Sequence, residues 1–167
     1  MRIRPYIESK DFEVISQWIT DEKTHAMWCA NTIDYPIIKE NFDSVLEYGA
    51  FKYSDSAYVA TTDVGEVIGF FCYSSNLETN EGMLKFVMVD DKYRGKGYGK
   101  EMIALAIKYA FEITKVDAVQ LNVFSVNARA KQCYISSGFS ERRTDDNVFK
   151  FKDELWGRCN MVVNRER

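Results

Sequence analysis

The chain has 167 residues, 46% of them apolar and 28% charged, and a formal net charge of −3. That is the length of a single domain, residues 1–167, with enough apolar chain for a substantial core. No apolar run approaches the ~20 residues that cross a bilayer, and a negative net charge without clustered Lys and Arg argues against nucleic acid as the main partner.

Residues 1–6 alternate weakly and predict a short strand stopped near Pro5. No apolar block follows the basic opening, so a signal peptide is not expected. Ser9 or Asp11 then caps a helix in which Phe12, Val14, Ile15, Trp18 and Ile19 repeat at helical spacing. Residues 21–32 are mixed and hold His25, Met27, Trp28 and Cys29; they predict a loop or an irregular helical turn. Asp34-Tyr35-Pro36 predicts the start of a second helix with proline near its first position, and Gly49 its end.

Residues 57–62 and 67–73 flank the turn cluster Thr62-Asp63-Val64-Gly65-Glu66 and predict a hairpin. Residues 74–80 are polar and predict a loop. Residues 82–89 are almost continuously apolar, the pattern of a strand covered on both faces. A glycine-rich loop follows, then a helix to about Ile113 with a broad apolar face. Residues 118–124 alternate, with Val119, Leu121 and Val123 on one face. The helix between makes this strand parallel to the earlier one. Asn127 caps another helix, which stops at Gly138 with Phe139 closing the cap. Two strands end the chain, about 139–151 and 155–164, with Asp153-Glu154 as their turn. The order predicts an α/β or α+β domain on one mixed sheet.

The stretch 87–100 carries the chemistry. Gly95, Gly97 and Gly99 leave backbone N–H groups unshielded at a helix N-terminus, a site suited to phosphate or pyrophosphate. Two common phosphate loops fail here. The Walker pattern needs glycine where Arg94 stands and a hydroxyl where Glu101 stands. The dinucleotide pattern has Lys100 at its last glycine and comes too late in the chain.

What fits is R-x-x-G-x-G, read from Arg94, Gly97 and Gly99 directly after a Val-x-Val strand end. A second pattern, N-x-x-A-x-x-x-Y-x-x-x-G-F, runs from Asn127 through Ala130, Tyr134 and Gly138 to Phe139. Together they resemble the GNAT superfamily of N-acetyltransferases. Ile3-Arg4-Pro5 and the closing Trp156…Met161 strand are similar to the branch that includes ribosomal-protein N-terminal acetyltransferases. The resemblance covers nearly the whole chain, most firmly residues 82–139.

This resemblance implies a single mixed, mostly antiparallel sheet of about seven strands with helices on both faces. It implies acetyl-CoA as donor, CoA as product and a primary amine as acceptor, either a small molecule such as a polyamine or a protein N-terminus. Attack would be direct, without a covalent enzyme intermediate. Backbone N–H groups of Gly95, Lys96, Gly97, Tyr98, Gly99 and Lys100 would hold the pyrophosphate, with charge from Arg94 and Lys96. The backbone of Val87, Met88 and Val89 would pair with the pantetheine arm, and the N–H of Val87 or Val89 would polarise the thioester carbonyl. Tyr134 would give a proton to the leaving thiolate. Asn127 either bonds the pantetheine or only caps its helix.

Met83 and Asn122 stand where some relatives carry a glutamate base; Glu81 or a water chain are the stand-ins. The acceptor pocket is expected from residues 21–32 and the last hairpin, with Glu22, His25, Trp28, Glu154 and Trp156 as candidates. Cys133, beside Tyr134, is expected to pack rather than react. The four cysteines form no C-x-x-C pair, so no metal site is expected and a reducing, cytoplasmic setting is. A single chain and a homodimer are both open. The alternative function is a non-catalytic CoA-binding sensor or interaction module.

Overall fold

The computed structural model describes residues 1–166. Its strands are β1 (Arg2–Pro5), β2 (Ser56–Thr61), β3 (Val67–Asn76), β4 (Glu81–Val89), β5 (Ala118–Phe124), β6 (Ser140–Phe151) and β7 (Glu154–Asn164). They form one seven-stranded sheet in the order β1-β2-β3-β4-β5-β7-β6. Every neighbouring pair is antiparallel except β4 and β5, which run parallel. The helices are α1 (Glu8–Ser16), α2 (Glu22–Cys29), α3 (Lys39–Tyr53), α4 (Tyr98–Tyr109) and α5 (Ala128–Ser136).

Strand alternation builds two cores. Phe70 and Cys72 of β3 pack on one face with Ile15 of α1, Cys29 of α2 and Phe42 of α3. Phe71 and Tyr73, the intervening residues, pack on the other with Met102, Ile103 and Ala106 of α4 and Tyr134 of α5. Helices therefore cover both faces, and the central strands read as continuous apolar runs because both of their faces are dry.

The early helices depart from the sequence reading. Neither Ser9 nor Asp11 caps α1; Ile7 does, and both lie inside the helix. Asp11 is 1% exposed. It holds Arg4 through two hydrogen bonds of 2.7 and 2.8 Å and accepts the Ile7 N–H at 2.7 Å. Residues 21–32 contain the regular helix α2, whose cap is Asp21, accepting the Thr24 N–H at 2.8 Å. The chain thus has one helix more than expected. The next, α3, starts at Lys39 rather than at Pro36, because Asn41 accepts the Ile38 N–H and donates to the carbonyls of Asp34 and Pro36. It runs past Gly49, where a Cβ would stand 2.7 Å from a carboxylate oxygen of Asp55. That glycine is therefore a close-approach position rather than a stop.

The remaining differences are at strand and helix ends. β3 extends to Asn76, since Ser74 and Ser75 pair with Met83 and Gly82. β7 begins at Glu154, and α4 continues into a π-helical turn over Ala110–Thr114. Among the described residues no helix is long and apolar enough to cross a membrane.

Candidate active site

The site begins where β4 and β5 part. Their pairing runs from Glu81 opposite Ala118 to Leu84 opposite Leu121 and stops there. Beyond it β4 stays with β3 and β5 stays with β7. β4 also carries a bulge. Lys85 lies opposite Cys72 and Met88 opposite Phe70, so three steps on β4 answer two on β3. Phe86 sits at φ +51°, in the left-handed region, where a bulky residue costs about 1–2 kcal/mol. The Trp28 indole N–H donates to its carbonyl at 2.8 Å. The separated strand ends enclose a cleft of ≈ 740 Å³.

One end of the cleft is the glycine loop. Asp90 accepts the Lys92 N–H and starts a short turn, after which the Arg94 Nε–H donates to the Val89 carbonyl at 2.8 Å. Gly95 and Gly97 have φ of +76° and +89°, values that favour glycine. Gly97 caps α4 without a side chain, so the first N–H groups of the helix have no side-chain partner at that cap. Val87, Met88, Val89, Arg94, Gly95, Gly97, Gly99 and Lys100 line the cleft. Lys96 and Tyr98 are not among its lining residues. Lys96 lies over the Tyr93 ring at 5.7 Å, and Tyr98 meets the same ring edge-on at 5.4 Å.

Arg129 was not anticipated. It comes from the first turn of α5 and lines the cleft, with Nη2 3.6 Å from where a Gly95 Cβ would stand. Its signal in the sequence was weak: a single cation two residues past a helix cap, with nothing to say that this turn faces the glycine loop. Lys85, Arg94, Lys100 and Arg129 line the cleft, and among the described lining residues there is no Asp, Glu or His. Lys85 is held by Asp55 at 2.7 and 3.0 Å, so the uncompensated positive charge gathers at the loop end.

Tyr134 of α5 lines the cleft and is 7% exposed. Its hydroxyl has no protein hydrogen-bond partner among the described residues, and burial pushes its pKa well above the ordinary phenol value. Asn127 caps α5 by accepting the Ala130 N–H at 3.2 Å, and it also lines the cleft. Cys133 is half-buried, and burial pushes its thiol up as well, away from thiolate reactivity.

Helix α2 explains which acceptor-side candidates reach the cleft. Thr24, Met27 and Trp28, at helical spacing, face it. Glu22 and His25 instead line a separate hollow of ≈ 290 Å³ with Asp34 and Tyr35. His25 is 1% exposed, contacts Cys29 Sγ at 3.4 Å, and is kept neutral because burial lowers its pKa. Glu154 pairs with Lys23 at 2.8 Å and accepts the Trp156 indole N–H, and Trp156 is fully buried against Phe151. Glu81 sits at the closed end, bonded to Gln120 and Arg142, and is not among the lining residues. Of the five acceptor candidates only Trp28 lines the cleft, and Glu81 reaches it only through the hydrogen-bonded amides of Gln120, Asn160 and Asn122.

Residues 12–139 match the family model described as Acetyltransferase (GNAT) family. A spermine/spermidine N(1)-acetyltransferase of Bacillus subtilis (strain 168) is 31% identical over 81 residues, 45% of this chain and 53% of that protein. The chain spans about half the length of the curated relatives it matches. The structure of a Vibrio cholerae spermidine N-acetyltransferase in complex with CoA and spermine superposes with TM-score 0.82 at 16% identity, over 98% of this chain and 94% of that one. That of a ribosomal-protein-alanine N-acetyltransferase from Brucella melitensis gives 0.75 at 22% identity, over 99% and 100%. At these identities the two structures establish a shared fold.

Proposed function

The chain belongs to the acetyltransferase (GNAT) family, and from that premise we propose that it is an acetyl-CoA-dependent N-acetyltransferase acting on an α-amine such as a protein N-terminus. The observation that carries the reading is the unpaired end of β4, which opens onto a cleft with a helix N-terminus that has no side-chain cap at one end and Tyr134 in its wall.

The residues suit a long, phosphorylated thioester. N–H groups of the loop from Gly95 to Lys100 would meet the pyrophosphate, with Arg94, Lys100 and Arg129 supplying charge. The free edge of Val87, Met88 and Val89 offers backbone partners to an amide-bearing arm, as an added strand would find. When bound, acetyl-CoA would supply an activated acyl carbon; the amine nitrogen would form the new C–N bond there and give up one proton to water, the C–S bond would break, and CoA would leave as the thiol, its proton coming from Tyr134, which water then reprotonates. Tyr134, protonated throughout the physiological range, is the group in the cleft wall that can give the sulfur its proton. The Val87 N–H can stabilise the charge that develops on the thioester oxygen.

Acceptor choice follows from what the cleft offers an amine. With no carboxylate or imidazole among its described lining residues, an amine that arrives protonated finds no side-chain base. At pH 7 roughly one α-amine in ten is already neutral, against fewer than about one alkyl amine in a thousand. A polyamine would also bring further positive charges to a cleft without anions. Four free cysteines support a reducing, cytoplasmic setting.

The test is a panel read by release of free thiol: peptides with open N-termini, the same peptides blocked, spermidine and spermine. Open peptides are expected to turn over fastest. Preference for the polyamines would overturn the acceptor, and CoA binding with no turnover on any amine would leave a non-catalytic CoA-binding module. Light scattering on the same preparation decides between a single chain and a homodimer.

A further inference from the structure

We propose that Trp28 is a positioning residue for the reaction: by holding the Phe86 carbonyl it aims the Val87 N–H at the thioester oxygen. This role rests on the acetyltransferase reading above. Trp28 belongs to α2, the helix that faces the acceptor side of the cleft, and its indole N–H donates to Phe86 O at 2.8 Å. The ring itself is fixed, stacked on Phe42 at 6.2 Å and packed against Phe70 and Phe86.

The bond matters because of which carbonyl it takes. The Phe86–Val87 peptide is trans, and in a planar trans peptide the C=O and the following N–H point in opposite directions. Fixing one therefore aims the other. Phe86 also sits at φ +51° in the bulge of β4, a conformation that its side chain disfavours. Without an outside partner that peptide is free to turn back toward the ordinary extended region, and the Val87 N–H turns with it. Val87 and Trp28 both line the cleft, so the tethered peptide lies in its wall. A consequence is that α2, which also brings Thr24 and Met27 to the cleft, couples acceptor-side packing to the aim of the charge-stabilising donor.

Two measurements test this. In ¹⁵N-labelled wild-type protein, the Trp28 indole resonance, identified by its loss in Trp28→Phe, is expected to exchange slowly with D₂O; rapid exchange would remove the tether. Kinetically, Trp28→Phe keeps one aromatic ring against Phe42, Phe70 and Phe86 and loses the N–H together with the second ring of the indole. Its kcat is expected to fall about tenfold or more, with KM for acetyl-CoA within about twofold. A rise in amine KM with kcat unchanged would mean that Trp28 grips the acceptor instead. Should the single variant fold poorly, Phe86→Gly is the control, since glycine holds a positive φ without help. Trp28→Phe on that background is expected to lose less than about twofold in kcat, and an undiminished loss would overturn the role. If wild type acetylates no amine, the parent reading and this role both fall, while slow indole exchange would still register the tether by itself.

Discussion

Tyr134 keeps its proton because burial penalises the phenolate, which suits the proposed role of donor better than that of base. Tyr134→Phe removes a hydroxyl that no described protein group bonds, so folding stability should change by less than about 0.5 kcal/mol. Turnover should fall about tenfold to a hundredfold with KM for acetyl-CoA unchanged, and the loss should be the same from pH 6 to 9. Unchanged turnover would take Tyr134 out of the mechanism. The glycine loop offers an equally sharp residue-scale probe. Gly97 is a poor target, because φ +89° strains any substitute. Gly99 is a better one: it lies in the first turn of α4, and an added Cβ would meet Cys133 Sγ at an ordinary 3.4 Å. Gly99→Ala should fold at least as well as wild type, since alanine favours a helix over glycine by about 1 kcal/mol. It should nonetheless bind CoA more than about tenfold more weakly by isothermal titration, because the methyl stands where a phosphate would approach the N–H groups. Unchanged affinity would place the pyrophosphate elsewhere.

At the scale of elements, what could be read from the chain depended on how local the determinant was. Strand β5 and helix α5 were legible because alternation and an Asn cap are written in consecutive residues. Residues 21–32 were not, since α2 owes its place to packing against a distant strand and a neighbouring helix, through Trp28 on Phe86 of β4 and Phe42 of α3. Asp11 was misjudged for the same reason. As a cap it would have been an exposed, local acceptor; it is instead the buried partner of Arg4, joining β1 to α1. Burial by itself would raise its pKa, but the Arg4 guanidinium and the Ile7 N–H outweigh burial and hold the carboxyl below its ordinary range. A carboxyl depressed in the folded state stabilises fully above its unfolded pKa, and that stabilisation fades as pH falls through the folded value. Asp11→Asn should therefore cost about 2–3 kcal/mol in urea denaturation at pH 7, and the gap to wild type should begin to narrow below about pH 4 and close only below the depressed folded-state value. A gap that does not narrow as pH falls below about 4 would mean that shape, not charge, sets the contribution.

At the scale of the molecule, the parallel β4–β5 pair and its crossover helix were predictable, yet the cleft they create was not measurable from sequence. It depends on pairing that ends at Leu84 and on Arg129 arriving from another helix. That geometry also makes the cleft a seam. On one side lies the β1–β4 half of the sheet, on the other β5, β7 and β6, joined between strands by only four residue pairs. A ligand that lies along β4 and reaches α5 bridges the seam and binds only the folded state. At a hundred times its Kd, CoA should add about 2.7 kcal/mol of stability. For a domain of this size that is a rise in Tm of roughly 5–10 °C. Because Arg94, Lys100 and Arg129 gather at one end, part of that affinity is charge attraction, which salt screens over a Debye length of about 8 Å at physiological ionic strength. The CoA-induced shift should therefore shrink between 50 and 500 mM salt at fixed CoA, more than the Tm of the free protein moves. Dephosphorylated pantetheine should show a smaller shift and little salt dependence. If CoA's shift were equally insensitive to salt, the phosphates would not be meeting these cations, and the orientation of the cofactor along the cleft would have to be reversed.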